Sequence, residues 1–312
     1  MRIPGEVRIA CSVCALFLWA GSAVAGSPAA ALSPAERDSI TAATLMDRAE
    51  TETWLKTAPT SYLAAVRRVD FEQHATLTVG RAAGNDVRLD DPSLSAQHLR
   101  VTVVGDSFRV EAVDADARFV AHKDTLRAAT LPPSSIGVGR FLLRLSHQRY
   151  PALILFDPAS PRFAEFKGLR YFQVDLACRL TVSLTPNPRP DTTIILSTRG
   201  NQRRAIRAGW FDFKIGGRKC RLEATRLLEP GVGEKDISIF FRDATTGKES
   251  YEVGRYLEPE ALPDGRYVLD FNHAYNPACA VSEYYNCPIP PKANVLAVAI
   301  RAGEMDSHYL QH

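Results

Sequence analysis

Beyond about residue 60 the chain alternates short apolar runs with polar turns. Residues 76–79 alternate as Thr-Leu-Thr-Val, and 99–103 and 108–112 flank the turn Gly105-Asp106. Residues 138–145 follow a Pro-Pro-Ser-Ser loop. Short strands separated by turn signals in this way predict a sandwich or barrel. Further runs follow at 152–156, 178–184, 192–197, 210–215, 219–228, 237–241 and 249–256. The last two flank a polar segment, Arg242 to Lys248, and predict a hairpin with a Gly-containing loop. The continuous apolar run at 295–300 predicts a strand buried on both faces. Ahead of all this, residues 33–56 read as one helix. Ser33-Pro34-Ala35-Glu36 is a capping-box start with Pro at the first helical position, and Thr57-Ala58-Pro59 ends it. Its apolar positions, Ile40 to Trp54, are expected to pack on the sandwich that follows.

The fold expected is mainly β: an N-terminal helix, a β-sandwich, then a second antiparallel β domain. The division expected is 1–25 leader, 26–59 linker and helix, 60–150 sandwich and 151–312 C-terminal domain, with the boundary at Arg149-Tyr150-Pro151.

The first 25 residues change the compartment. Arg2 and Arg8 precede an apolar stretch over 9–19, and Ala23-Val24-Ala25 is a small-x-small cleavage site. This is a secretory signal peptide, with an apolar core short for a membrane span. The mature chain is expected to start near Gly26 and to be periplasmic or secreted, with no membrane span. The full chain of 312 residues carries a formal charge of +3, so nucleic acid is not an expected partner. The segment 199–226 runs basic, opposed by Asp212 and Glu223, and reads as a solvated sheet face.

Cys178, Cys220, Cys279 and Cys287 lie beyond the leader. An even count after export suggests disulfides, and the expected pairs are Cys279–Cys287 and Cys178–Cys220. The first would close a short loop, worth about 2.5 kcal/mol. Two alternatives stay open for Cys279 and Cys287. One is a metal pair completed by His273 or Asp270, although the spacing is not a zinc motif. The other is a thiol nucleophile at Cys279 with His273 as the nearest imidazole in sequence. There is no Ser-His-Asp elbow, phosphate loop, dinucleotide fingerprint or zinc-protease helix, so no cofactor or metal is expected.

The pattern Gly80-Arg81-x3-Asn85-Asp86-Val87-x-Leu89-x5-Ser95-x2-His98 resembles the forkhead-associated domain, a β-sandwich that reads phosphothreonine peptides with its loops. The resemblance implies that Arg81 contacts phosphate, Ser95 adds a hydroxyl hydrogen bond and His98 stiffens the loop. The family's downstream Asn-Gly is missing, and Asp114 and Asp116 stand in that region. Their charge would repel a phosphate, so a degenerate loop that keeps the fold and loses phosphate reading is expected.

A longer resemblance, over about 49–305, is to the bacterial domain-of-unknown-function family 1684. It is carried by Phe166-x-Gly168-Leu169-Arg170-Tyr171-Phe172 and by the run Phe241-Arg242-Asp243-Ala244-Thr245-Thr246-Gly247-Lys248. Gly254-Arg255-Tyr256-Leu257, Leu269-Asp270-Phe271-Asn272, Ala274-Tyr275-Asn276-Pro277, Cys279-Ala280, Cys287-Pro288, Asn294 and Ala302-Gly303-Glu304 continue it. The resemblance implies no activity. In that family Cys178 and Cys220 fall at positions that tend to be aromatic, and some members lack export signals.

Within the signature, Asp270 and Asn272 would share a strand face, with Tyr275, Asn276 and Cys279 at the strand end. If the hairpin carrying Arg242, Asp243, Lys248 and Arg255 packs beside them, charges of both signs converge on one candidate ligand site. The bland alternative is that these residues cap turns and form structural ion pairs. The function expected is a non-catalytic binding protein of the cell envelope that takes an unknown small molecule or an envelope protein. The alternative is a hydrolase or transferase using Arg242, Asp243, Asp270, Asn272 and Cys279.

Overall fold

The computed structural model describes residues 32–309, so the leader segment lies outside the described residues. Helix α1 (Pro34–Thr57) starts where the capping box places it. Ser33 Oγ accepts from the Glu36 N–H at 3.3 Å, and Glu36 Oε2 accepts from the Ser33 N–H at 2.8 Å. Its seat differs from the expected one. Leu55 is buried in a cluster with Leu63, Phe166 and Val281. Arg48 donates to the Phe172 and Asn272 carbonyls at 2.9 and 3.1 Å. The helix therefore docks on the C-terminal half, because its few inward groups match that surface, while Leu45 and Met46 stay exposed.

The sandwich is built from β1 (Ala65–Asp70), β2 (Thr76–Gly80), β3 (Val87–Arg88), β4 (Leu99–Val104), β5 (Ser107–Ala112) and β6 (Phe119–Ala121). It continues through β7 (Asp124–Leu126), β8 (Ala128–Leu131), β9 (Ser135–Val138), β10 (Phe141–His147) and β11 (Pro151–Phe156). One sheet has the order β1-β11-β10-β9-β6-β7 and the other β3-β2-β4-β5-β8. Alternate residues turn inward, Leu99 and Val101 from β4, Phe108 and Val110 from β5, Leu143 and Leu145 from β10, to make one buried core. Each such side chain contributes roughly 2 kcal/mol. The run expected as one strand over 138–145 is split by a turn after Val138 into β9 and β10. Strand β11, placed after the domain boundary on sequence grounds, lies between β1 and β10, so the sandwich extends to Phe156. The Pro151 that signals a boundary is only the first residue of a strand, where its missing N–H is tolerated.

After the short helix α2 (Arg162–Glu165), the second half forms β12 (Arg179–Pro186), β13 (Thr192–Leu196), β14 (Gln202–Ile215) and β15 (Arg218–Leu227). Then come β16 (Ile239–Phe241), β17 (Arg255–Leu257), β18 (Glu260–Ala261) and β19 (Arg266–Asp270). The main sheet runs β13-β14-β12-β19-β18, with β15 on the other edge of β14. Its inner face carries Phe211, Phe213, Leu222 and Leu269, and the β16–β17 hairpin adds Ile239, Phe241 and Leu257.

Two expected elements are absent. Residues 249–254 do not continue the hairpin as strand; they belong to a long connection between β16 and β17. Residues 295–300 form no strand either. They run beside 242–244 with single bonds, Leu296 N–H to Arg242 C=O at 2.8 Å and Ala244 N–H to Val298 C=O at 3.0 Å, and Val295 is 56% exposed. Of the run only Leu296 and Ile300 are buried, so its apolar character reports neither full burial nor the pairing of its backbone.

Candidate functional site

The sandwich loops keep the framework that the Gly80-to-His98 pattern implies. A Cβ on Gly80 would lie 2.4 Å from the Ala96 carbonyl oxygen, so only glycine lets the two loops meet. Across that contact Arg81 N–H donates to Ser95 C=O and Ala82 N–H to Ala96 C=O, both at 3.1 Å. The buried Asn85 amide donates to Ala82 and Ala96 carbonyls at 2.8 and 2.9 Å. His98 Nδ1 accepts from the Ser95 N–H at 3.3 Å, and its Nε2 meets the Arg118 carbonyl at 2.8 Å. One tautomer, protonated on Nε2, satisfies both bonds.

On this frame Arg81 is exposed, and its guanidinium makes one bond, Nε to Leu94 C=O at 3.3 Å. Among the described residues it pairs with no carboxylate. Ser95 is held beside it with a hydroxyl that has no partner among the described residues. The acidic loop does not neutralise Arg81. Asp114 accepts from the Gln97 N–H at 3.1 Å, and Arg118 donates to the Ala115 and Ala117 carbonyls at 2.8 and 2.6 Å.

The C-terminal signature is built differently, from the inside. Asp243 and Arg255 form an ion pair at 3.0 Å with both side chains essentially inaccessible. Arg255 also donates to the Ile300 and Ala302 carbonyls at 2.8 and 2.5 Å. Asp243 accepts from the Thr245 N–H at 3.0 Å, the Thr245 hydroxyl at 2.6 Å and the Ile300 N–H at 2.8 Å. Burial pulls the Arg255 pKa down, and the Asp243 charge opposes that. The pair is a strut between the β16–β17 connection and the 300–304 segment.

Glu304, beside it, is fully enclosed. Its carboxylate accepts the Asn276 N–H at 2.9 Å and the Asn276 amide at 3.0 Å. Burial raises its pKa to about 7 against the opposing effect of these bonds and of Arg255. Sequence reading quoted Glu304 in the signature but did not select it. Its neighbours in sequence say nothing of the Asn276 backbone it meets.

The remaining signature residues disperse. Asp270 accepts from the Asn272 N–H at 3.0 Å and amide at 2.9 Å and pairs with Arg179 at 3.2 Å. Asn272 is not on the strand face with Asp270. It sits in the turn after β19, buried, exchanging two bonds of 2.8 Å with the Asp175 backbone. His273 faces Thr44, Asp47 and Asp270 at 3.4, 3.6 and 3.9 Å, away from Cys279 in bonding terms. Arg242 donates to Val253 C=O at 2.9 Å, Tyr275 donates to Glu258 at 2.8 Å, and Lys248 is exposed. The single convergent cleft expected from these residues is therefore replaced by a buried strut, a capped turn and isolated surface groups. Surface clefts of about 420 and 280 Å³ lie elsewhere, around Arg162 and Tyr309 and around Asp70 and Arg199.

The basic stretch of the main sheet is paired only in part, and one of its pairs, Arg203 with Glu229, is buried. Arg203 meets Glu229 and Arg207 meets Glu223, both at 2.5 Å, and Arg221 meets Asp212 at 2.7 Å.

The cysteines divide into two cases. All are buried thiols in this structure. Cys178 points to Asp175 Oδ2 at 3.6 Å and Cys220 to the Arg218 carbonyl at 3.7 Å. Cys178 ends the turn ahead of β12 and Cys220 lies on β15; both are free thiols with other partners, so the expected Cys178–Cys220 bond is not formed. Burial and then the Asp175 carboxylate push the Cys178 thiol up to about 12. Cys279 and Cys287 pack in a different buried cluster, with Tyr251 and Tyr256. The Cys287 thiol, ahead of Tyr251 and Thr198, holds Cys279 below the ordinary thiol range despite burial, and Cys287 is pushed well above it.

Comparison with known proteins adds family and fold. The family model described as "Protein of unknown function (DUF1684)" matches residues 164–305, and the FHA domain model matches residues 77–131. A solution NMR structure of an uncharacterised protein from Haloarcula marismortui is 36% identical, covering 46% of this chain and 78% of that one, with a TM-score of 0.38. EmbR of Mycobacterium tuberculosis, in complex with a low-affinity phosphopeptide, is 15% identical over 39% of this chain and 30% of that one, with a TM-score of 0.21. No protein of curated function matches the chain.

Proposed function

For this chain, which belongs to the DUF1684 family of proteins of unknown function and carries an FHA domain ahead of the family region, we propose a role as an exported, non-catalytic binding protein that takes a phosphorylated ligand at the loop end of its sandwich. The observation that carries this reading is Arg81. An exposed guanidinium with one long backbone bond and no carboxylate partner is an anion receptor left open. Ser95 supplies a free hydroxyl beside it, and Gly80, Asn85 and His98 hold the two loops in place. Asp114 is turned to the Gln97 N–H and forms no ion pair with Arg81. The EmbR structure was solved with a phosphopeptide; that ligand class is the natural first probe.

Catalysis at the signature gains no support. Asp243, Asn272 and Cys279 are buried and engaged by neighbours, and no imidazole is bonded to Cys279 among the described residues. Export rests on the leader sequence, and the mature N-terminus near Gly26 tests it.

The binding test is a calorimetric or NMR titration with a phosphothreonine peptide, its unphosphorylated twin and inorganic phosphate. Binding that requires the phosphate and weakens at least tenfold in Arg81→Ala supports the reading, since a charge-assisted contact is worth roughly 1.5–3 kcal/mol. Equal affinity for both peptides, or no effect of Arg81→Ala, overturns it.

A further inference from the structure

The segment between Cys279 and Cys287 is where the two halves of the molecule meet. Arg162 gathers the Val281 carbonyl and the Ser282 hydroxyl from it, and the same guanidinium donates to the Tyr62 and Ala65 carbonyls at 3.1 and 2.9 Å at the start of the sandwich. The Tyr284 carbonyl accepts from Arg68 of β1 at 3.3 Å. Tyr285 sets its ring edge-on to Tyr62 at 4.9 Å and packs with Ala65, Ile154 and Phe156 of the first sheet. On the other side, the Asn286 carbonyl accepts from Arg203 of β14 at 3.1 Å. The loop is thus a clasp with one face on each half.

Both ends of the clasp are cysteines, each 6% exposed and in one buried cluster. Cys287 is fixed by two bonds to Thr198, at 2.9 and 3.1 Å. Cys279 is fixed through Tyr251, whose hydroxyl reaches its carbonyl at 3.3 Å and its sulfur at 3.8 Å. The two side chains pack in the same buried cluster beside Tyr251, so closing a bond between them asks for local movement only.

We propose that Cys279 and Cys287 close as a disulfide that locks this clasp and makes the docking of the two halves dependent on redox state. The oxidant is a small or protein disulfide acting by thiol–disulfide exchange. The Cys279 thiolate attacks one oxidant sulfur, forming a mixed disulfide and releasing one thiolate. The Cys287 thiolate then attacks Cys279 Sγ and releases the second. Two protein thiols lose two protons and two electrons, and the oxidant becomes two thiols. The order in which the two sulfurs attack does not change this balance. Both sulfurs are buried in the closed loop, so exchange takes place while the loop is open, and closure then shields the bond. Cys178 and Cys220, turned to the Asp175 carboxylate and the Arg218 carbonyl, stay reduced.

The test uses the purified protein equilibrated in glutathione buffers from reducing to oxidising, trapped by alkylation, and read by intact mass and peptide mapping. The expected result is one disulfide, Cys279 to Cys287, with Cys178 and Cys220 alkylated. The oxidised protein should melt roughly 5 °C or more above the reduced one, and a Cys279→Ser/Cys287→Ser double variant should melt at a temperature unaffected by reductant. Four alkylated thiols under oxidising conditions, a bond involving Cys178 or Cys220, or a Tm unmoved by reductant overturns the proposal. The mapping needs no variant, so a double variant that fails to fold does not weaken the test.

Discussion

Glu304 and Asp243 are buried acidic residues that both meet Arg255, with opposite circumstances. Asp243 has a guanidinium against it; Glu304 has amide donors and only the more distant charge of Arg255. Desolvation therefore dominates at Glu304 and favours its protonated form. Its folded pKa, about 7, lies above the ordinary 4.5. The fold binds that proton more tightly than the unfolded chain does. The corresponding stability is fully present below about pH 4.5 and is lost as pH rises through 7, amounting to about 3 kcal/mol. Urea denaturation of the wild type should show this decline between pH 5 and 8, and Glu304→Gln should flatten it. A wild-type stability that is level or rises over that range would sink the assignment. None of this is readable locally: Ala302-Gly303-Glu304 looks like an ordinary turn, and the enclosing groups come from Asn276 and Arg255.

Elements show where pattern reading holds and where it stops. The capping box and the alternation in β4 and β5 are products of neighbouring residues, and sequence places them well; of β14 (Gln202–Ile215) the pattern marks only 210–215. The 295–300 run buries only Leu296 and Ile300, and its backbone bonds go singly to 242–244. The same packing explains Gly303. It has φ +81°, and an added Cβ would lie 2.5 Å from the Ala274 carbonyl oxygen and 2.6 Å from that of Phe271. Gly303→Ala should cost roughly 3 kcal/mol through backbone strain and overpacking together, seen as a lower urea midpoint. A change under 1 kcal/mol would mean that the turn after β19 yields easily.

For the molecule as a whole, Arg162 joins the halves with donors to both, alongside Arg68–Tyr284, Arg149–Leu228 and Tyr150–Gln202. It stands in a four-residue helix that sequence reading passed over. Removing it leaves carbonyls on both sides without their partner. The wild type should unfold in one transition, and Arg162→Ala should separate it into two, one for each core, in differential scanning calorimetry. A single transition shifted as a unit would show that Tyr285 and its neighbours suffice to couple the halves.

Taken alone, the sequence determined the mainly β architecture, the capped helix, the FHA-like framework around Gly80 and the family of the C-terminal half. These depend on periodicity, caps and motifs, which act over a few residues. Tertiary structure decided what the polar signature is for. Asp243, Arg255 and Ile300 meet across 57 residues of chain, and their burial turns a presumed cleft into a strut. It likewise decided that Cys279 and Cys287 share one buried cluster with Tyr251 while Cys178 and Cys220 lie in another. Burial and pairing are properties of which distant segments converge, and residue spacing along the chain does not carry that information.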